Sequence, residues 1–324
     1  MMIRNTLFSI DLSCDDKELY EDIVKQLVSE TEEAKLGKLK VQIKHSEDIQ
    51  ARRKNVENKG IHILKNEILL KNVHFLTDYY LLEGTFGIIY GQFAVVIFSR
   101  EKIEVFYNRS HLKKIYHSVY IPYLFCTSIL YEISSLLGIL VLHASGIAKN
   151  GMGILLSGPK GSGKSTLALG MSTLLNYQYF SDDKVLYDPR SKLIYAFSDV
   201  VRLSKEMYQS VARVQTAEIE YFRDKFTINI SNLAVEKCSI AIPKIVVFPC
   251  LDYTKKYQFK IRKIEKMRTF EKILEHRIVA FEPPFASFQK NILDFLNVCQ
   301  CYEIFLGTDL NFNVQKLDEF FMSL

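Results

Sequence analysis

The stretch Gly158–Thr166 reads GPKGSGKST, and its residue types suit the holding of phosphate. Gly158-x-x-x-x-Gly163-Lys164-Ser165 fits the Walker A pattern without a mismatch. Gly158, Gly161 and Gly163 let backbone N–H groups converge on phosphate oxygens without side-chain clashes, and Pro159, Lys160, Ser162 and Thr166 complete the stretch expected to line a nucleotide. A helix beginning near Lys164 adds the positive end of its dipole. Lys164 is expected to reach the β- and γ-phosphates and Ser165 to ligate Mg²⁺, which makes ATP and Mg²⁺ the expected cofactors. The context agrees, since an apolar strand (Ile154 to Leu156) precedes the loop and KSTLALGMSTLL has helical periodicity.

Past that helix comes FSDD, with Asp182 and Asp183 only 18 and 19 residues beyond Lys164. The helix and a short turn use up this spacing, so the next strand can return beside the loop. Two carboxylates there can divide the labour, one supporting Mg²⁺ and the other accepting a proton from an attacking hydroxyl. Neighbours in a strand point to opposite faces, so both serve only if the strand ends at this point. KIVVFPCLD offers a rival carboxylate, Asp252, set back behind Pro249. The D-x-x-G and N-K-x-D of GTPase switches and the LSGGQ-like segment of transport ATPases do not occur. For the cation that phosphoryl transfer asks for, Arg202 in SDVVRLSKE and Lys225 in RDKFTINI are candidates, with an exposed surface cation as the other reading of each.

The elements that must position these residues divide the chain in two. Residues 1–118 combine a charged helical stretch (Asp15 to Lys35) with the strand-like runs KVQIKH, GIHILKNEILL, DYYLLEGTFGIIYGQFAVVIFS and KIEVFYN, and read as a small α+β domain for substrate recognition or another accessory role. Residues 119–324 read as α/β with a mixed sheet: a helix at 121–137, two strands joined by KNGMG, the loop and its helix, further strands, and a helix–strand–helix ending. Eight of the 14 glycines fall between Gly138 and Gly170, which concentrates special backbone geometry around the loop. The apolar run Phe125–Leu142 carries Glu132 and several hydroxyls, so it is expected as a buried helix leading into a strand, not a membrane span.

Composition narrows the partners. With 48% hydrophobic and 24% charged residues the chain is expected to fold, and a net charge of +5 requires no nucleic acid. The six cysteines form no CxxC pair and read as free thiols, which together with the lack of a secretory signal fits the cytoplasm. Lys255 to Lys272 holds eight basic residues against two acidic ones, a solvated edge strand and helix or a dock for an acidic peptide.

The segment Leu142–Asp188, LHASGIAKNGMGILLSGPKGSGKSTLALGMSTLLNYQYFSDDKVLYD, resembles the core of the HPr kinase/phosphorylase group. That group includes kinases encoded with ribosomally made peptides such as lasso peptides, and is similar in fold to phosphoenolpyruvate carboxykinases. The shared order is a histidine before a hairpin, the phosphate loop, one helix and an Asp-Asp pair. The resemblance implies a P-loop kinase that phosphorylates a serine hydroxyl of a peptide or protein. In it Asp182 matches the general base, Asp183 its metal-supporting partner, and His143 a histidine near the transferred phosphate, with Ser145 beside it. Thr166 stands where bacterial HPr kinases carry Glu, and the segment GGEIRGLG is missing. The implied activity is therefore that of a stand-alone kinase of another peptide, protein or small hydroxyl compound, in an arrangement that allows a homo-oligomer. The alternative is a nucleotide-binding regulatory or assembly protein with slow hydrolysis.

Overall fold

The alternating apolar runs of the amino-terminal part become strands. The computed structural model describes residues 2–4, 9–17, 19–21, 38–70, 73–83, 85–90, 94–98, 102–108, 138–197, 200–204, 220–222, 225–275 and 285–324. The chain divides into two units at Leu137/Gly138. The expected boundary at 118/119 and the expected helix at 121–137 lie outside the described residues.

The first unit is built on β1 (Met2–Arg4), β2 (Ser9–Cys14), β3 (Lys38–His45), helix α1 (Ile49–Lys59), β4 (Ile61–Leu70), β5 (Val73–Leu82), β6 (Thr85–Tyr90), β7 (Ala94–Phe98) and β8 (Lys102–Tyr107). The strands form one sheet in the order β1-β2-β3-β8-β7-β6-β5-β4, parallel from β2 through β3 to β8 and antiparallel elsewhere. Helix α1 was not legible as a helix, because only Ile49 and Val56 of its side chains are buried. Those two pack with Ile89, Val95 and Phe106, and Asp48 caps the helix by accepting from the Ala51 N–H at 2.8 Å.

The second unit opens with β9 (Leu140–Leu142), β10 (Ala144–Lys149) and β11 (Met152–Ser157). Asn150 and Gly151 join β10 to β11 with φ of 53° and 74°, the two left-handed residues of a type I′ hairpin turn. Next come α2 (Lys164–Leu175), β12 (Gln178–Ser181), β13 (Val185–Asp188), β14 (Leu193–Ala196), β15 (Val200–Leu203), β16 (Glu220–Phe222) and β17 (Lys225–Asn229). The unit closes with β18 (Ile240–Leu251), β19 (Phe259–Lys263), α3 (Lys266–Glu275), α4 (Phe285–Val298), β20 (Gln300–Leu306) and α5 (Leu310–Met322).

The mixed sheet runs β12-β10-β11-β18-β20-β19, with β11, β18 and β20 parallel. β18 also belongs to a second sheet, because Ile240 and Ala241 at its start pair antiparallel with β14, which continues to β13 and β9. Alternate side chains of the apolar run in β18 enter two cores, as period-2 geometry demands. Ile245 and Val247 join α2 and α5 through Leu167, Met171, Val314 and Leu317. Val246 and Phe248 join α3, α4 and the second sheet through Ile273, Ile292, Phe295 and Tyr187. A run buried on both faces reads as continuously hydrophobic, which is why IVVF was legible as a strand. β15, β17 and β16 form a third sheet whose Val201 and Ile228 pack into the α2 core.

Candidate active site

Strand direction gathers the expected residues at one end of the mixed sheet. β10 is antiparallel to both β11 and β12, so the loop after β11 and the acid pair after β12 leave the sheet at the same end. His143 stands just before β10, whose first residue, Ala144, pairs with Ser157 at the end of β11. The His143 carbonyl accepts from Ser157 Oγ at 3.1 Å, which ties the histidine to the root of the loop.

The loop has the backbone its glycines permit, with φ of 146° at Gly158, 87° at Gly161 and 90° at Gly163. Gly163 is the cap of α2 and brings no capping side chain, so the first-turn N–H groups of the helix face the loop's hollow. Pro159, Lys160 and Gly161 are exposed, Gly163 and Thr166 half-buried, and Ser162 buried with its Oγ lacking a hydrogen-bond partner among the described residues. The Lys164 ammonium is buried and donates to the carbonyls of Gly158 at 2.8 Å and Pro159 at 2.9 Å. These contacts hold it over the loop that it is expected to serve.

β12 ends at Ser181, so the alternation that would have separated the two acids stops before them. The buried Asp182 receives two hydroxyls on one oxygen: Ser165 Oγ donates to Oδ1 at 2.6 Å and Ser145 Oγ at 2.8 Å. Asp183 sits at φ 66°, and the Lys184 N–H bonds back to the Asp182 carbonyl at 2.7 Å. An i to i+2 bond across a left-handed residue is the rare, strained kind of γ-turn. The Asp183 carboxylate lies with its Oδ1 3.2 Å from His143 Nε2. Ser181 braces the turn, donating from Oγ to the Lys184 carbonyl at 2.6 Å and accepting from the Phe197 N–H at 3.3 Å.

The structure thus brings together Lys164, Ser165, Ser145, Asp182, Asp183 and His143. It pairs Asp182, not Asp183, with the hydroxyl expected to bind metal. Asp252 is engaged elsewhere: its Oδ1 accepts from the Thr254 N–H at 3.0 Å and Thr254 Oγ1 at 2.6 Å, with Lys255 Nζ 3.5 Å from Oδ2. The bonds from Thr254, then Lys255, hold its carboxyl below the usual range. The backbone of Arg202 pairs with Thr227 on the sheet that packs against α2, and Lys225 pairs with Phe222; their side chains lie outside the described residues.

The donor set suits Mg²⁺. Ser165 Oγ and Asp182 Oδ1 are hard oxygen donors at contact distance beside a phosphate-shaped loop, and Mg²⁺ is commonly held by one or two protein oxygens together with substrate phosphates. Among the described residues no group of three or more His, Cys, Asp or Glu side chains forms a metal cluster by itself. Among the described residues five cysteines are free thiols, and no helix is long and apolar enough to cross a membrane.

Tyr253 was missed by sequence reasoning. It follows β18, the strand beside the loop strand, and its hydroxyl donates to the Gly161 carbonyl at 3.1 Å. An aromatic residue just past the strand adjoining a phosphate loop was the available signal.

No family model and no curated protein matches the chain. Among solved structures the chain is similar to the Hpr(Ser) kinase/phosphatase from Coxiella burnetii, at 11% identity over 56% of this chain and 88% of that one, with a TM-score of 0.28.

Proposed function

We propose that the chain is an ATP- and Mg²⁺-dependent phosphotransferase that moves the γ-phosphoryl group to a hydroxyl, a serine of a peptide or protein being the favoured acceptor. The observation that carries this reading is the 2.6 Å bond between Ser165 on the phosphate loop and Asp182, beside a second carboxylate on a strained turn. A plain nucleotide-binding loop needs only the first of these acids. The amino-terminal unit is assigned acceptor recognition, and a homo-oligomer is compatible with the reading.

Each side chain then has a task. The loop N–H groups and Lys164 hold and orient the phosphates. Ser165 and Asp182 would hold Mg²⁺, and Ser145 fixes the Asp182 carboxylate by donating to the same oxygen as Ser165. When bound, Mg²⁺ neutralises charge on the phosphate oxygens. Asp183, more exposed than Asp182 and backed by His143, takes the proton of the acceptor hydroxyl as its oxygen bonds to the γ-phosphorus and the bond to the β-bridging oxygen breaks. This assignment exchanges the roles that the resemblance implies for the two aspartates.

The test is incubation of the full chain with Mg²⁺ and γ-labelled ATP, with serine-containing peptides and their alanine counterparts. Label on the serine peptides alone is the expected result. Binding of ATP with no transfer to any acceptor would leave a nucleotide-binding regulator.

A further inference from the structure

Tyr253 presents its ring to solvent, 72% exposed, while its hydroxyl is anchored on the Gly161 carbonyl of the glycine loop. The position follows from topology. β18 runs parallel to β11, so its end emerges beside the loop, with the Pro249 carbonyl 4.0 Å from where a Cβ on Gly158 would stand. Asp252 then folds the chain over through its two bonds to Thr254, and the Lys255 N–H closes the turn on the Asp252 carbonyl at 3.3 Å.

The far side of this segment is pinned to the start of α5. The carbonyls of Lys255, Lys256 and Gln258 accept from the N–H groups of Thr308 at 2.9 Å, Asp309 at 3.0 Å and Gly307 at 3.0 Å. Gly307 permits the approach, since a Cβ there would meet the Lys256 carbonyl oxygen at 2.5 Å. Tyr257 adds an edge-on ring contact with Phe312 at 5.5 Å. The Tyr253 ring is therefore held in one place by a braced turn at the rim of the phosphate cradle.

We infer that Tyr253 is the stacking platform for the base of the nucleoside triphosphate whose phosphates occupy the glycine loop. The inference rests on the proposed nucleotide binding and adds a separate subsite to it. A phenol ring offers an apolar face to any base, and its hydroxyl is already committed to Gly161, so the platform stabilises purine nucleotides without reading adenine from guanine.

Calorimetry on the full chain with Mg²⁺ and three probes, ATP, GTP and tripolyphosphate, tests this. Tyr253→Ala is expected to weaken ATP and GTP alike, by on the order of ten-fold, and to leave tripolyphosphate unchanged. Tyr253→Phe is expected to keep nearly all the affinity for both nucleotides. Equal loss for tripolyphosphate would make Tyr253 a brace of the loop and overturn the platform, and tighter binding of all three probes would make it a lid. If the native chain binds tripolyphosphate as tightly as ATP, the cradle stands and the platform falls. If it binds neither, the nucleotide reading falls as well.

Discussion

Ser165 and Asp182, 17 residues apart in sequence, meet at 2.6 Å where the phosphate loop faces the end of β12. In the proposed mechanism this contact gives the two aspartates different tasks. Asp182→Asn is expected to weaken Mg²⁺-dependent ATP binding, because the amide lacks the charge that would hold the metal. Asp183→Asn is expected to keep ATP binding and to lower transfer by about two to four orders of magnitude, the usual share of a general base. Calorimetry and single-turnover labelling on both variants check the split, and the reverse pattern would restore the roles implied by the resemblance.

Ser145 reaches the same Asp182 oxygen from a fully buried position. It touches neither nucleotide nor acceptor in the proposed arrangement, so it acts by orienting the carboxylate. Ser145→Ala is expected to lower Mg²⁺ affinity by about 10- to 100-fold, and saturating Mg²⁺ should restore most of the transfer rate. A metal titration of the rate reads this directly, whereas a merely structural serine would not respond to added metal.

Glu303 is buried in β20 and is met by Arg262, Arg268 and Lys272, with Lys272 Nζ at 2.8 Å. Burial pushes its carboxyl up, but hydrogen bonds from Lys272 and Arg262 outweigh this and hold it below the ordinary range. A folded-state value below the unfolded one stabilises the fold above the unfolded value, and that contribution is lost as pH falls through the folded value. Glu303→Gln is expected to destabilise the chain by about 1–3 kcal/mol at neutral pH, since the exposed arginines remain solvated and the loss stays below that of a fully buried pair. Thermal melts of the two proteins should converge below about pH 4.

Tyr179 is completely buried in β12, and its hydroxyl has no hydrogen-bond partner among the described residues. Burial first, and the Asp182 charge second, hold the phenol well above its usual pKa, so it stays neutral. Tyr179→Phe removes an unsatisfied polar atom and is expected to stabilise the protein by about 1 kcal/mol, read as a rise in Tm of about 2–4 °C. A fall in Tm would mean that the hydroxyl has a partner.

The legible parts were those governed by local geometry. Glycine spacing disclosed the left-handed turns of the loop after β11, Asn-Gly the hairpin before it, and the length of α2 the return of Asp182 and Asp183 to its side. Distant pairing stayed hidden. Which aspartate meets Ser165 depends on where β12 stops and how Asp183 turns, a matter of single φ angles. Helix α1 lacks the apolar stripe that announces a helix, and the cations around Glu303 come from β19 and α3, whose residues lie 31 to 41 positions away in the chain.

β18 contributes backbone to two sheets at once, by its first residues to one and by the rest to the other. The strand acts as a common spine. Opening either sheet strips ladder bonds from this one strand, so the loop after β11 and the Tyr187 core are expected to melt together. In native-state hydrogen exchange, the amides of Val246 and Val247 are expected to fall in the slowest class and to report the same opening energy as those of β11 and β20.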